Sequence, residues 1–264
     1  MFRIWVEYFK NQLKKVINYR MTFWASIFNI FIKTLAMGMV WHAVFREENN
    51  VQVLTEIQML TYSTCSIALA QCMTWWDGPH LYALETVKKG TVIFDMLKPE
   101  SFPFQLFCRG SSEFVINFFI YFLPTILIGD IAFQLEIRLD KRVIYFLLAL
   151  LLGYTIMFGL QLLIAIISMK ILEMDGILLF FHAIVVLLSC EVIPLEMYPG
   201  ILQNIIQVLP FQYIFYVPTM VFIKGEDFFT LSYINIEVVW IIIIYFLCYI
   251  FWKKIRFLLC VQGG

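Results

Sequence analysis

Apolar runs long enough to cross a bilayer recur along this chain, and no other feature restricts its fold so tightly. A helix needs roughly 20 apolar residues to span the hydrocarbon core. In lipid, each backbone donor and acceptor must be satisfied within the segment, so several such runs fold together as spanning helices. Six runs are predicted as spans: 22–45, 53–75, 106–128, 143–169, 177–193 and 231–252. Composition agrees. Of the 264 residues, 62% are hydrophobic and only 14% charged, which predicts an all-α polytopic membrane protein, folded as a single unit. The first run is too long for a signal-peptide core and carries Lys33, so no cleavable leader is expected.

Between the fifth and sixth runs the pattern breaks. Pro194, Pro199, Pro210 and Pro218 interrupt an apolar stretch, leaving two short pieces, Gly200–Leu209 and Phe211–Ile223. Proline lacks a backbone donor and breaks helix interiors. Neither piece is long enough to span. Segment 194–225 is therefore predicted to be a re-entrant helical hairpin that dips into one leaflet and packs between the spanning helices. The alternative is a seventh, kinked span.

The basic residues decide between these topologies. With six spans and both termini inside, the inner side holds Arg3, Lys10, Lys14, Lys15, Arg20, Lys88, Lys89, Lys98, Arg109, Lys170, Lys253, Lys254 and Arg256. The outer side holds Arg46, Arg138, Lys141, Arg142 and Lys224, so the tally is thirteen against five. A seventh span would move Lys224 inside and the last three outside, weakening the bias to eleven against seven. Cytoplasmic termini and a dipped outer element follow. Residues 2–17 place Phe2, Trp5, Val6, Phe9, Leu13, Val16 and Ile17 at helical spacing, with Arg3, Lys10, Lys14 and Lys15 on the other side. That pattern predicts an amphipathic interfacial helix over residues 1–20, lying on an anionic leaflet of the cell membrane. Trp75 and Trp76 close the second span as an aromatic belt, and Asp77-Gly78-Pro79 turns the chain.

No catalytic or metal-binding constellation is present. The six cysteines are scattered, without a CxxC or Cys/His cluster, and are expected to be small buried apolar residues. His42 and His182 lie in apolar runs and are expected as bonded core residues. There is no GxxxxGK[ST] phosphate loop, so the chain does not bind ATP by that route, and no cofactor or nucleic acid is expected on it.

The longest polar connection, 77–103, lies on the inner side. Residues 81–89 form a short predicted helix, and Gly90 supplies the left-handed residue that stops it. Leu81, Leu84 and Val87 on that helix, mixed with Glu85, Lys88 and Lys89, suit docking into a groove on a partner protein. Leu84, Val87 and Lys88 share one face, and Glu85 and Lys89 form an i,i+4 pair.

These features together resemble the transmembrane permease of an ABC transporter of the ABC-2 type, in a bacterial six-span subgroup. That subgroup's loop reads helix–Gly–x5–Leu–x–Pro. Here Gly90 is followed by Leu97, Lys98 and Pro99, with one residue more than that spacing. Its proline signature corresponds to Pro194-Leu195, Pro199, Leu209-Pro210-Phe211, Pro218 and Gly225. Where the family often has Ser-Gly before that signature, this chain has Ser189-Cys190-Glu191. The resemblance implies a second permease, identical or related, and two copies of a separate ABC ATPase that bind ATP and Mg. It makes 81–89 with Gly90 the coupling helix, and Pro194, Pro199, Pro210, Phe211, Pro218 and Gly225 parts of an outer gate. Spans two and five would line the path, for an amphipathic, peptide or lipid-like cargo moving outward. A secondary transporter or channel without an ATPase, or a non-transporting immunity or sensor subunit, are the alternatives.

Two expectations concern polar groups at membrane depth. Thr61, Ser63, Thr64, Ser66 and Gln71 in span two fit either a polar path wall or close helix packing. Lys33 is expected inside the protein or at an interface, because a lone charge in the bilayer costs about 2.5–3.5 kcal/mol; Glu113 and Glu56 are candidate partners that the sequence does not place.

Overall fold

The computed structural model describes residues 2–47, 54–73, 75, 78–137, 140–171 and 175–259. Trp76, Asp77, Arg138, Cys260 and the 48–53 end of the first turn lie outside the described residues. The described chain is helical throughout: α1 (Phe2–Asn18), α2 (Arg20–Glu47), α3 (Glu56–Cys72), α4 (Pro79–Lys88), α5 (Val92–Met96), α6 (Phe102–Asn117), α7 (Leu123–Phe133), α8 (Arg142–Ser168), α9 (Asp175–Leu188), α10 (Gly200–Val208), α11 (Tyr216–Lys224) and α12 (Leu231–Leu259).

Four stretches are long and apolar enough to cross a membrane: Arg20–Arg46, Phe102–Phe133, Arg142–Ser168 and Leu231–Ile255. The second joins α6 and α7 through a π-helical turn, Phe118–Phe122. Pro124 has no backbone N–H to give and its ring crowds the preceding turn, and a widened turn accommodates both. The Thr125 hydroxyl donates to the Tyr121 carbonyl at 2.6 Å within the same stretch. The third run thus reaches Phe133, five residues past its predicted end.

Two helices are shorter than their predicted runs. α3 starts late because Thr55 and Gln58 form a capping box in front of Glu56. α9 stops at Leu188 rather than 193, because Cys190 turns into the left-handed region at φ +59°. At 1.5 Å per residue these helices measure about 26 and about 21 Å, against roughly 30 Å of hydrocarbon.

α3 and α8 form the centre. α3 is buried along nearly its whole length among α2, α6, α7 and α11. α8 packs on α4, α11 and α12. α1 lies along α6, with the Trp5 indole N–H donating to Ser111 Oγ at 2.9 Å. One glycine matters especially here. A Cβ on Gly153 of α8 would lie 2.3 Å from the Tyr213 carbonyl oxygen, so the backbone between α10 and α11 rests directly on α8.

Candidate functional site

The connection that holds α4 and α5 folds as a compact unit. Pro79 opens α4, where its missing donor costs nothing. Gly90 stops the helix at φ +69°, as the sequence predicts. The chain then makes a second short helix, α5. Asp95 organises the unit: buried, it accepts from the Tyr82 hydroxyl at 2.8 Å and from Lys98 Nζ at 2.6 Å. Gln105 Nε2 donates to the carbonyls of Asp95 at 2.7 Å and Glu100 at 3.0 Å, tying α5 to the foot of α6. The Arg109 guanidinium sits 3.9 Å from the centre of the Tyr82 ring. Burial, and then the bond to Asp95, push the Tyr82 hydroxyl up to about 12, while the bond to Asp95 holds the Lys98 ammonium above its ordinary range.

The exposed face of this unit is not the predicted one. Leu84 is only 4% exposed, and Leu81 and Val87 pack against the core, because α4 lies under α8 and α6. The i,i+3,i+4 pattern marks an apolar stripe without saying what it faces, and here it faces the bundle. The solvent-facing apolar side chains belong to α5 and its end: Ile93, Phe94 at 70% exposure and Leu97 at 76%. Glu85, Lys88 and Lys89, at the end of α4, are exposed as well. Glu85 and Lys89 do pair, at 3.0 Å, and Lys88 reaches Asp175 at the start of α9, at 3.2 Å. The mixed run ThrValIlePheAspMetLeu at 91–97 was the available signal for α5.

His80 is a further residue that the sequence does not mark. It is buried, and among the described residues neither ring nitrogen has a hydrogen-bond partner. Its ring lies 4.7 Å from that of Trp75, which stacks on Phe181 at 5.9 Å and meets His182 at 5.5 Å. Burial, then the nearby His182, lower the His80 imidazole to about 4. His182 is half-buried in this cluster, whereas His42 is bonded, to Glu56 Oε1 at 2.6 Å, at an exposed position rather than in the core.

The proline-broken element forms two short helices, α10 and α11, separated at Leu209 and by a 3-10 turn at Pro210–Tyr213. Pro199 caps α10, Pro210 opens the turn and Pro218 lies in the first turn of α11. All three sit where a backbone donor is not needed. α11 is buried against α8 and α3. Both ends are fastened. At the first, the Tyr62 hydroxyl donates to the Cys190 carbonyl, and the Tyr216 hydroxyl to Glu196 Oε1 at 2.7 Å. At the second, Arg142 donates to the Ile223 carbonyl at 3.0 Å, and Gly225 turns at φ +76° with Arg142 against it. Trp240 Nε1 donates to the Val208 carbonyl at 3.2 Å, fixing the end of α10 to α12.

The hydroxyl residues of α3 occupy packing seams. Thr61, Ser63, Thr64 and Ser66 are all buried within the protomer. Thr61 donates back to the Ile57 carbonyl at 2.7 Å and Ser63 to Met59 at 3.0 Å, and Thr64 lies against Gly129. Only Gln71 reaches open space. It lines two cavities that also share Ala70 and Trp75. One, of about 360 Å³, lies among α1, α2, α3 and α6. The other, of about 150 Å³, brings Lys33 of α2 together with His182 of α9, Glu191 and Phe215. Lys33 itself is exposed on α2; of the two candidate acids, Glu56 bonds His42 and Glu113 lines the first cavity. The acid across its cavity is Glu191, which follows the Cys190 turn.

The sequence model of the family described as ABC-2 family transporter protein matches residues 31–256. The chain belongs to that family. It is a multi-pass membrane protein, and the family association is that of a transporter permease with an ABC ATPase. No curated protein matches the chain.

Proposed function

We propose that the chain is the membrane half of an ATP-driven exporter. ATP and Mg belong to two copies of a partner ATPase, and this chain carries no nucleotide site of its own. A second permease, identical or related, completes the pathway in the cell membrane. The chain crosses six times, with α3 and α9 as the second and fifth crossings and both termini in the cytoplasm. The element 194–225 is re-entrant and works as the outer gate, with Pro194, Pro199, Pro210, Phe211, Pro218 and Gly225 setting its breaks. The cavity holding Lys33, Gln71, His182 and Glu191 is part of the path, for an amphipathic, peptide or lipid-like cargo.

One observation carries this reading. The Asp95-centred unit exposes Ile93, Phe94 and Leu97, and also Glu85, Lys88 and Lys89, on a segment otherwise pinned to the bundle. Apolar side chains held out of a fixed scaffold, with charges at their rim, form the anatomy of an interface hot spot. Phe94→Ala with Leu97→Ala is expected to reduce ATPase recovery with the purified chain at least tenfold, about 1.4 kcal/mol. The thermal midpoint of the chain alone should not move. Full ATPase retention with wild-type hydrolysis would remove α5 as the seat.

A further inference from the structure

α12 carries one buried group that the transport reading leaves idle. Between Leu231 and Trp252, Glu237 is the only acidic or basic residue. It lies six residues, about 9 Å, into the helix. Its side chain is fully buried, and among the described residues neither carboxyl oxygen has a hydrogen-bond partner. Buried oxygens left unpaired destabilise a fold, so packing alone does not account for a carboxyl here.

Its neighbours belong to the break of the 194–225 element. Tyr233 and Trp240, four residues before it and three after, share its face of α12. The Tyr233 ring stands edge-on to Tyr213 of the Pro210–Tyr213 turn at 6.5 Å, and Trp240 is the donor to the Val208 carbonyl. The turn thus rests both on Gly153 of α8 and on this face of α12. The titratable groups that face the carboxyl are Tyr213 on the turn and Tyr233 on its own helix. On α8, Arg142 is bonded to the Ile223 carbonyl and Tyr154 stacks on Phe114. Among the described residues no charged group acts on the carboxyl. An isolated carboxylate in an apolar surround is far costlier than the neutral acid, which is the form such a site holds.

We infer that Glu237 is a proton-binding site, and that its proton keeps the break of the 194–225 element seated on α12. When the O–H bond breaks, its electron pair stays on the carboxylate and the proton passes to water. That carboxylate needs donors, so water enters between α12 and the turn, and the turn lifts. Only the consequence for transport rests on the reading of 194–225 as an outer gate.

The test uses the full-length chain in a neutral maltoside. Infrared difference spectra should show the carbonyl stretch of a protonated carboxyl at neutral pH, fading as pH is raised and absent from Glu237→Gln throughout. In a cysteine-free background Ile206→Cys reports the seat, because Ile206 on α10 is fully buried. Its maleimide labelling should be equal with and without Glu237→Gln at neutral pH. At alkaline pH it should run at least tenfold faster with Glu237 in place, a comparison that cancels the thiol's own pH dependence. Should Ile206→Cys fail to fold, amide hydrogen exchange over residues 206–214 makes the same comparison. Neither measurement involves transport, so failure of the gate reading leaves both results standing. Absence of the Glu237 band at neutral pH, its persistence at alkaline pH, or equal labelling or exchange once the band has gone would each overturn the proposal.

Discussion

The unit around α4 and α5, inner in the proposed topology, and the element around α10 and α11, outer in it, are built from the same parts. Each is a pair of short helices separated by a break, each has proline in a first turn, and each uses a glycine at positive φ, Gly90 in the one and Gly225 in the other. They differ in which helix of the pair is buried, the first of one and the second of the other. α11 buries nearly all of its own between α8 and α3. α5 holds Ile93, Phe94 and Leu97 out into the surroundings. Helix breaks therefore do not make an element mobile or functional by themselves. α4 and α11 are part of the core, whereas α5 and α10, which leaves Ile201, Ile205 and Val208 exposed, are surfaces.

Four experiments test this contrast, beginning with the largest effect. Leu84→Ala should destabilise the chain by about 3 kcal/mol, because Leu84 belongs to the core and truncation leaves a cavity. Thermal unfolding of the purified chain measures it. A stability loss as small as that of the Phe94 and Leu97 pair would erase the distinction between the two faces of the inner unit.

Gly153→Ala comes next, at about 2–3 kcal/mol, since its methyl would strike the Tyr213 carbonyl and not a side chain that could swing away. Transport is expected to fall while the ATPase still co-purifies, because the inner unit is untouched. Joint loss of both would show that the two regions are not separable.

The third test is pH. His80 has its imidazole lowered from 6.5 to about 4, chiefly by burial, so the folded chain holds it neutral where the unfolded chain would be protonated. Its stabilising share is complete above about pH 6.5 and falls as pH drops toward 4, with a loss of about 2 kcal/mol at pH 5. The thermal midpoint should decline from pH 7 to pH 5, and His80→Gln should flatten that decline. An equal decline in both proteins would assign it elsewhere.

The smallest effect concerns Cys190. A non-glycine residue in the left-handed region carries a cost of about 1–2 kcal/mol, and Cys190 sits there at φ +59°. Cys190→Gly relieves that cost while losing buried contacts, so the stability change should stay within about 1 kcal/mol. Cys190→Val, with its branched Cβ, should be the worse variant in the same unfolding assay. The opposite order would mean that packing, not backbone, governs the turn.

Much of this architecture is legible in the sequence. The proline positions give two short helices and place the break within a residue of Leu209, and Gly90 marks the end of α4. These are local effects of single residues on their own backbone. What is not legible depends on neighbours distant in the chain. Leu84 looks like a docking residue until α8 covers it. The α3 hydroxyls fit a path wall until Thr61 and Ser63 bond back to their own helix and α7 closes over Thr64. Glu191 becomes visible as the acid facing Lys33 only when the Cys190 turn brings it to the same cavity. The family's Ser-Gly at this point was the available signal, since a glycine there marks a position of positive φ.

The π turn at Phe118–Phe122 has one more consequence. It inserts a residue into the third long helix, and each residue advances a helix by about 100° around its axis. The halves on either side of it are therefore out of phase. Both halves touch α3, but α6 otherwise addresses α1 and α4, whereas α7 addresses α2. One continuous rod thus presents two differently rotated gears, one to each set of partners. Its apolar stripe does not run straight from end to end, and a turn of its lower half need not reach the upper half in full.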